Sequence, residues 1–145
     1  MTVIKDEWSG LFAALETKVN AAGRTRLLDV MISDVYEVTY ANFGETGIAR
    51  PAPWADLKIQ YAIDYHDGDT TPTLVLSGAL RDGFVKEVSD TAAVLFNTVE
   101  YADKQQFGKG MLPARPYYPV DEDGENFTPF MEYRLQGIVE NHFGV

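Results

Sequence analysis

The chain has 145 residues, no cysteine and a formal net charge of -10, from 22 acidic and 12 basic side chains. This balance argues against a tight nucleic-acid binder, which needs clustered Lys and Arg to displace counterions from phosphates. The lack of cysteine removes disulfides, thiolate metal centres and a cysteine nucleophile. The length and the 46% apolar content suit one domain, residues 1–145, with a real core.

Val3, Ile4, Trp8, Leu11, Phe12, Leu15 and Val19 recur at helical spacing and predict an amphipathic first helix that ends at Ala22-Gly23. A second helix is expected from about Thr25 to Asn42, with Leu27, Leu28, Met31, Ile32, Val35 and Val38 as its buried stripe. Gly44 stands where such a helix should stop. The stretch 45–72 reads as loop, broken by Gly47, Pro51 and Pro53, with a short helix possible over Trp54 to Tyr65. A loop this long is usually functional or supported by a partner.

The period then changes. Thr73 to Ser77 is β-rich, Leu80 to Ser89 alternates, Asp90-Thr91 reads as a turn, and Ala92 to Val99 reads as the second strand of an antiparallel hairpin. Tyr101 to Phe107 predicts a short helix closed by Gly108. Pro113, Pro116 and Pro119 enforce an extended path, because proline lacks a ladder donor and disfavours helix before it. Asp121 to Glu125 is an acidic turn, and Asn126 to His142 is the last helix, with Phe127, Phe130, Met131, Leu135, Ile138 and Val139 apolar. The expected class is α+β, a small antiparallel sheet flanked by N-terminal and C-terminal helices.

Candidate chemistry is sparse. Asp64, His66, Asp67 and Asp69 form the densest set of oxygen and nitrogen ligands, but without the downstream glutamate of an EF-hand they read as a solvated acidic turn. Ser77-Gly78 does not sit in Gly-x-Ser-x-Gly, since Val75 and Ala79 occupy the flanking glycine positions. The glycines at 44, 47, 108 and 110 lack phosphate-loop spacing. No cofactor, metal or catalytic residue is therefore expected. No apolar run approaches the ~20 residues of a membrane span, and Lys5, Asp6 and Glu7 are wrong for a secretory leader. The aromatics are more informative. Tyr117 and Tyr118 lie in the proline-stiffened strip Pro113-Ala114-Arg115-Pro116-Tyr117-Tyr118-Pro119, which suits a docking edge and equally a segment packed on the chain's own core, two uses that can coexist in one strip.

Four short motifs follow one another in order. They are Phe43 with Pro53-Trp54-Ala55-Asp56-Leu57-Lys58 and Tyr61-Ala62, then Leu74-Val75-Leu76-Ser77-Gly78-Ala79-Leu80-Arg81, then Tyr101-Ala102 with Gln106-Phe107-Gly108, and last Leu112-Pro113-Ala114-Arg115-Pro116-Tyr117. Together, over about residues 25 to 120, they resemble the phage virion morphogenesis family, which includes the tail-completion proteins of Mu-like phages. The resemblance implies a non-enzymatic structural protein of a phage or prophage that completes the tail or joins head and tail, usually as a ring. Its partners would be further copies of itself and tail-tube or head–tail connector proteins. It would be made in the bacterial host cytoplasm and end in the virion.

The expected contact residues are Trp54, Tyr61, Tyr65, Phe107, Arg115, Tyr117 and Tyr118, with Arg115 paired to a carboxylate inside the fold or across a subunit boundary. Two rival readings stand beside this one: a cytosolic ligand-binding module with Trp54, Tyr61, Tyr65 and Tyr101 lining an aromatic pocket, and a metal-dependent hydrolase built on Asp64 to Asp69.

Overall fold

The computed structural model describes residues 2–3, 20–44, 49–54, 78–110 and 112–144. Within them the chain is α+β. The first strand, β1 (Thr2–Val3), is followed by the long helix α1 (Ala21–Ala41), the helical turn α2 (Ala79–Asp82), the hairpin strands β2 (Phe84–Val88) and β3 (Ala93–Asn97), the short helix α3 (Ala102–Phe107) and the final helix α4 (Pro129–Phe143). The sheet is antiparallel in the order β1-β3-β2, which puts β3 in the middle.

The helix α1 begins four residues earlier than the apolar pattern indicated. Asn20, in extended backbone, accepts a hydrogen bond from the Gly23 amide at 2.8 Å, so one of the orphan donors of the first turn is satisfied there. Ala22-Gly23, expected to end a preceding helix, therefore lies in the first turn of this one. Leu27, Leu28, Met31, Ile32, Val35 and Val38 form the buried stripe as expected. Thr39 is buried with them, its hydroxyl bonded to the Val35 carbonyl at 2.7 Å. Helix and sheet meet through this stripe, and α4 packs along the same helix.

Val3 departs from its expected place at the head of a helix. Thr2 and Val3 pair with Leu95 and Val94 on the open side of β3. Both are β-branched, and a central strand with an available ladder is a better home for them than a fraying helical turn. The remainder of that expected helix, 4–19, lies outside the described residues, as do Thr73 to Ser77.

The hairpin register runs from Phe84↔Asn97 to Val88↔Ala93, and the Ser89 amide closes the turn on the Ala92 carbonyl at 2.8 Å. The strand begins only at Phe84, and the expected alternation is not kept along it: Phe84 and Val88 are half-buried, while Val85, Lys86 and Glu87 between them are all exposed. Gly78 has φ +80, a left-handed conformation that turns the chain into the single helical turn α2, closed by the Asp82 amide on the Gly78 carbonyl. Leu80 is nonetheless core, inserted from this turn and not from the strand.

The last helix is set by Thr128, whose hydroxyl accepts from the Met131 amide, and by Pro129, which fits the first turn because its missing N–H would be unpaired there anyway. Its buried face is Met131, Leu135 and Val139, at intervals of four. Phe127 lies before the helix and is half-buried, while Phe130, expected on the inner stripe, points outward. One residue before Met131 on a helix is about 100° round from it, which is enough to leave the core face. No helix among the described residues is long and apolar enough to cross a membrane.

Candidate interaction surface

The segments that carry the sequence motifs converge. Asn42 and Phe43 come from the end of α1, Arg50 and Trp54 from the following loop, Gln106 from α3, and Tyr117 and Tyr118 from the proline strip. Phe43 stacks on Tyr117 with ring centroids 5.4 Å apart and meets Trp54 and Phe84 edge-on at 5.7 and 6.0 Å. Tyr117 and Tyr118 are 4.7 Å apart, and Phe84 closes the cluster from β2 at 5.6 and 5.7 Å. Such pairs add roughly 0.5–1.5 kcal/mol each beyond the area they bury.

Polar contacts fix the same knot. The strip is extended and joins no strand ladder among the described residues, so side chains serve much of its backbone. The Gln106 side-chain oxygen accepts from both the Tyr117 and Tyr118 amides, at 2.8 and 3.0 Å. The Asn42 side-chain amide donates to the Tyr117 carbonyl at 2.9 Å, and the Trp54 indole donates to the Pro116 carbonyl at 2.7 Å. The Arg115 amide donates to the Gln105 carbonyl at 2.7 Å. Each of these satisfies a group whose isolation from water would otherwise cost about 1–3 kcal/mol.

Arg50 locks the end of α1. Its guanidinium donates to the Asn42 and Gly44 carbonyls at 2.7 and 2.6 Å and lies 3.6 Å over the Trp54 ring. A cation at the carbonyl end of a helix, stacked on an indole, is favoured twice, by the helix dipole and by the ring quadrupole.

The expected contact residues divide accordingly. Tyr117 is fully buried, with its hydroxyl bonded to the Ala102 carbonyl at 2.8 Å, and Tyr118 and Arg115 are 4% and 5% exposed. Burial, and after it the neighbouring Tyr118 phenol and the Asp103 carboxylate, push the Tyr117 phenol well above its ordinary pKa, so it stays a neutral donor. These three are packed on the chain's own core, one of the two uses open to the strip. Their surface is spent inside the fold, and Arg115 makes interactions within the chain. Trp54 is half-buried, with one ring face under Arg50 and an edge against Phe43, which leaves little of it for an aromatic pocket. Phe107 alone of the described candidates is exposed, at 50%, with its inner edge against Gly124 of the acidic turn. Tyr101, from the rival pocket, is also exposed. Tyr61, Tyr65 and the set Asp64, His66, Asp67 and Asp69 lie outside the described residues. Among the described residues no group of three His, Asp or Glu side chains is placed to hold a metal ion.

Sequence reasoning missed Asn42 and Arg50, and it took Gln106 only as part of a motif, without the role it has here. No local signal gives these roles, since a glutamine in a polar helix and an asparagine after a helix are ordinary surface residues. Only the arrival of the strip makes them structural.

The described residues thus define a small α+β domain whose motif residues are mostly architectural and whose candidate contact surface is confined to a few outward aromatics. No family model matches the chain, and comparison with curated proteins and with solved structures likewise finds no match.

Proposed function

We propose that this chain is a structural assembly protein of a phage or prophage virion, acting in tail completion or at the head–tail joint as a ring of identical subunits and performing no catalysis. The observation that carries this reading is the convergence of Phe43, Trp54, Gln106 and Tyr117, which lie in three separate motifs. Motif pieces that form one packed unit mark a shared architecture more strongly than the same pieces scattered over a surface. The proline strip and the helix before it then serve as a rigid frame that presents Phe107 and Tyr101 outward. A frame with little conformational freedom loses little entropy on assembly.

In a ring, one patch of each subunit meets a different patch of the next, a head-to-tail contact that closes by rotation. The -10 charge opposes association at low salt, so the ring forms at high concentration, in salt, or on the end of a tube. Because Trp54 and Tyr117 belong to the core, their alanine variants report on folding. Phe107→Ser and Tyr101→Ser are the variants that report on assembly.

The test is to induce the prophage, purify particles and quantify this chain by mass spectrometry, alongside a deletion strain imaged by electron microscopy. One ring of copies per particle, with unfinished tails or unjoined heads in the deletion, is the expected result. Normal infectious particles that lack the chain would sink the proposal. Turnover of an esterase, phosphatase, nuclease or peptidase substrate above buffer would contradict its non-enzymatic part.

A further inference from the structure

Arg50 is a held cation without a carboxylate, in a chain of net charge -10. Arg24, Arg81 and Arg134 pair with Asp90, Asp82 and Asp34. The polar partners of Arg50 are the Asn42 and Gly44 carbonyls, and its guanidinium lies on the Trp54 ring. Burial lowers its pKa, and no carboxylate is near enough to act against that. A guanidinium has five N–H donors, and the two carbonyls take two of them, which leaves three for a ligand. The residue is half-buried, so this corner is open to solvent. The stack and the two carbonyl bonds fix the fork in place, and an incoming carboxylate would meet a pre-set geometry.

The same chain carries the complementary feature. Asp121 accepts from the Glu125 amide at 2.9 Å and from the Asn126 side chain at 3.0 Å, and Val120 bridges Phe127 at the base, so the acidic turn is firmly held. Glu122, Asp123 and Glu125 are exposed on it, and no basic group among the described residues lies within ion-pair distance of them. Gly124, between Asp123 and Glu125, lies against the Phe107 ring, where a Cβ would come within 3.0 Å. Fixed, unpaired carboxylates and a half-exposed aromatic therefore stand side by side.

We infer that the Arg50–Trp54 corner of one copy receives the acidic turn and Phe107 of the next copy, with Asp123 or Glu125 in the guanidinium fork and the Phe107 ring beside it. The inference rests on the ring reading and names the two patches that meet. Because the patches differ, the contact is head-to-tail, as a ring requires. An arginine fork suits a carboxylate, and its face suits an aromatic ring. The acidity of the chain sharpens the choice of pose. Most approaches of two copies bring like charges together, whereas this one brings the unpaired cation to the unpaired carboxylates and so sets the register.

The chain has no cysteine, so introduced ones report cleanly. Ala52→Cys, exposed near Arg50, and Glu122→Cys, exposed beside Asp123, are made in separate full-length chains, mixed at high concentration and treated with a short bismaleimide. A cross-link between the two different chains is expected, and neither chain should link to itself. Asp123→Asn with Glu125→Gln, added to the Glu122→Cys chain, should slow the mixed cross-link about tenfold. The melting temperature should not move, since neither side chain has a partner within the fold. Links within one species only, or a mixed link indifferent to the charge variants, overturn the contact. Oligomers seen by native mass spectrometry without the mixed link overturn this contact and leave the ring standing. No oligomer in the free chain or in purified particles overturns both.

Discussion

Replacing Gln106 by leucine removes the one side chain that serves both amides of the Tyr117-Tyr118 step. Gln106 is 3% exposed, and its oxygen accepts from those amides at 2.8 and 3.0 Å. Leucine has similar volume and fills the space, so no cavity arises and the loss is almost purely of hydrogen bonding. Two buried donors left without partners cost about 1–3 kcal/mol each, and the apolar gain of leucine offsets about 1 kcal/mol, for a net loss of about 3 kcal/mol. Against a total stability of about 5–15 kcal/mol this is severe but survivable. In urea unfolding followed by tryptophan fluorescence, the midpoint should fall by about 1.5 M for a slope of about 2 kcal/mol/M, with the slope unchanged. The tryptophan signal is apt because Trp54 is bonded to Pro116, next to the affected step. A loss under about 1 kcal/mol would show that the amides find water or another acceptor, and that Gln106 does not organise the strip.

Arg115→Ala empties the place of a side chain only 5% exposed, so it should cost about 2–4 kcal/mol in the same assay, and wild-type stability would mean the residue is dispensable to the fold. Gly108→Ala should destabilise by about 2 kcal/mol or more, because φ is +74 and a Cβ would lie 2.9 Å from the Ala114 nitrogen and the Leu112 oxygen; a neutral outcome in calorimetry would mean this turn is softer than its geometry indicates. The acidic turn should weaken in acid. The Asn126 side chain, then the amides of Glu125, Asn126 and Gly124, hold the Asp121 carboxyl below its ordinary 3.8. A depressed folded-state value means the stabilisation is complete above the unfolded-state value and is lost as pH falls through the folded one. Amide exchange at Glu125 should therefore accelerate below the ordinary carboxylate range in the wild type and show no such acid step in Asp121→Asn, while an identical pH response in both would exclude Asp121 as the cause.

Much of the architecture was legible in residue order because it depends on local periodicity. The stripe from Leu27 to Val38, the hairpin around Asp90-Thr91, the short helix closed by Gly108 and the final helix with its Met131, Leu135 and Val139 face are all set by spacings of two or 3.6 residues and by turn chemistry. Where the pattern misled, a contact distant in sequence had the larger effect. Val3 joins the sheet because β3 offers it a ladder 91 positions away in the chain, at Val94. Leu80 is the local exception: the left-handed Gly78, two residues before it, delivers it to the core from a helical turn, so its apparent place in a strand was a coincidence of hydrophobicity.

The contact residues show the limit most plainly. Sequence marks Tyr117, Tyr118 and Arg115 as large, stiffly held side chains, and that much follows from the prolines beside them. Which way they face follows from Gln106, Asn42 and Trp54, whose bonds to residues 116 to 118 span from 11 to 75 positions in sequence. Backbone stiffness is a local property and can be read from neighbours. Burial depends on which remote groups satisfy the strip's amides and carbonyls, and only the folded chain decides that.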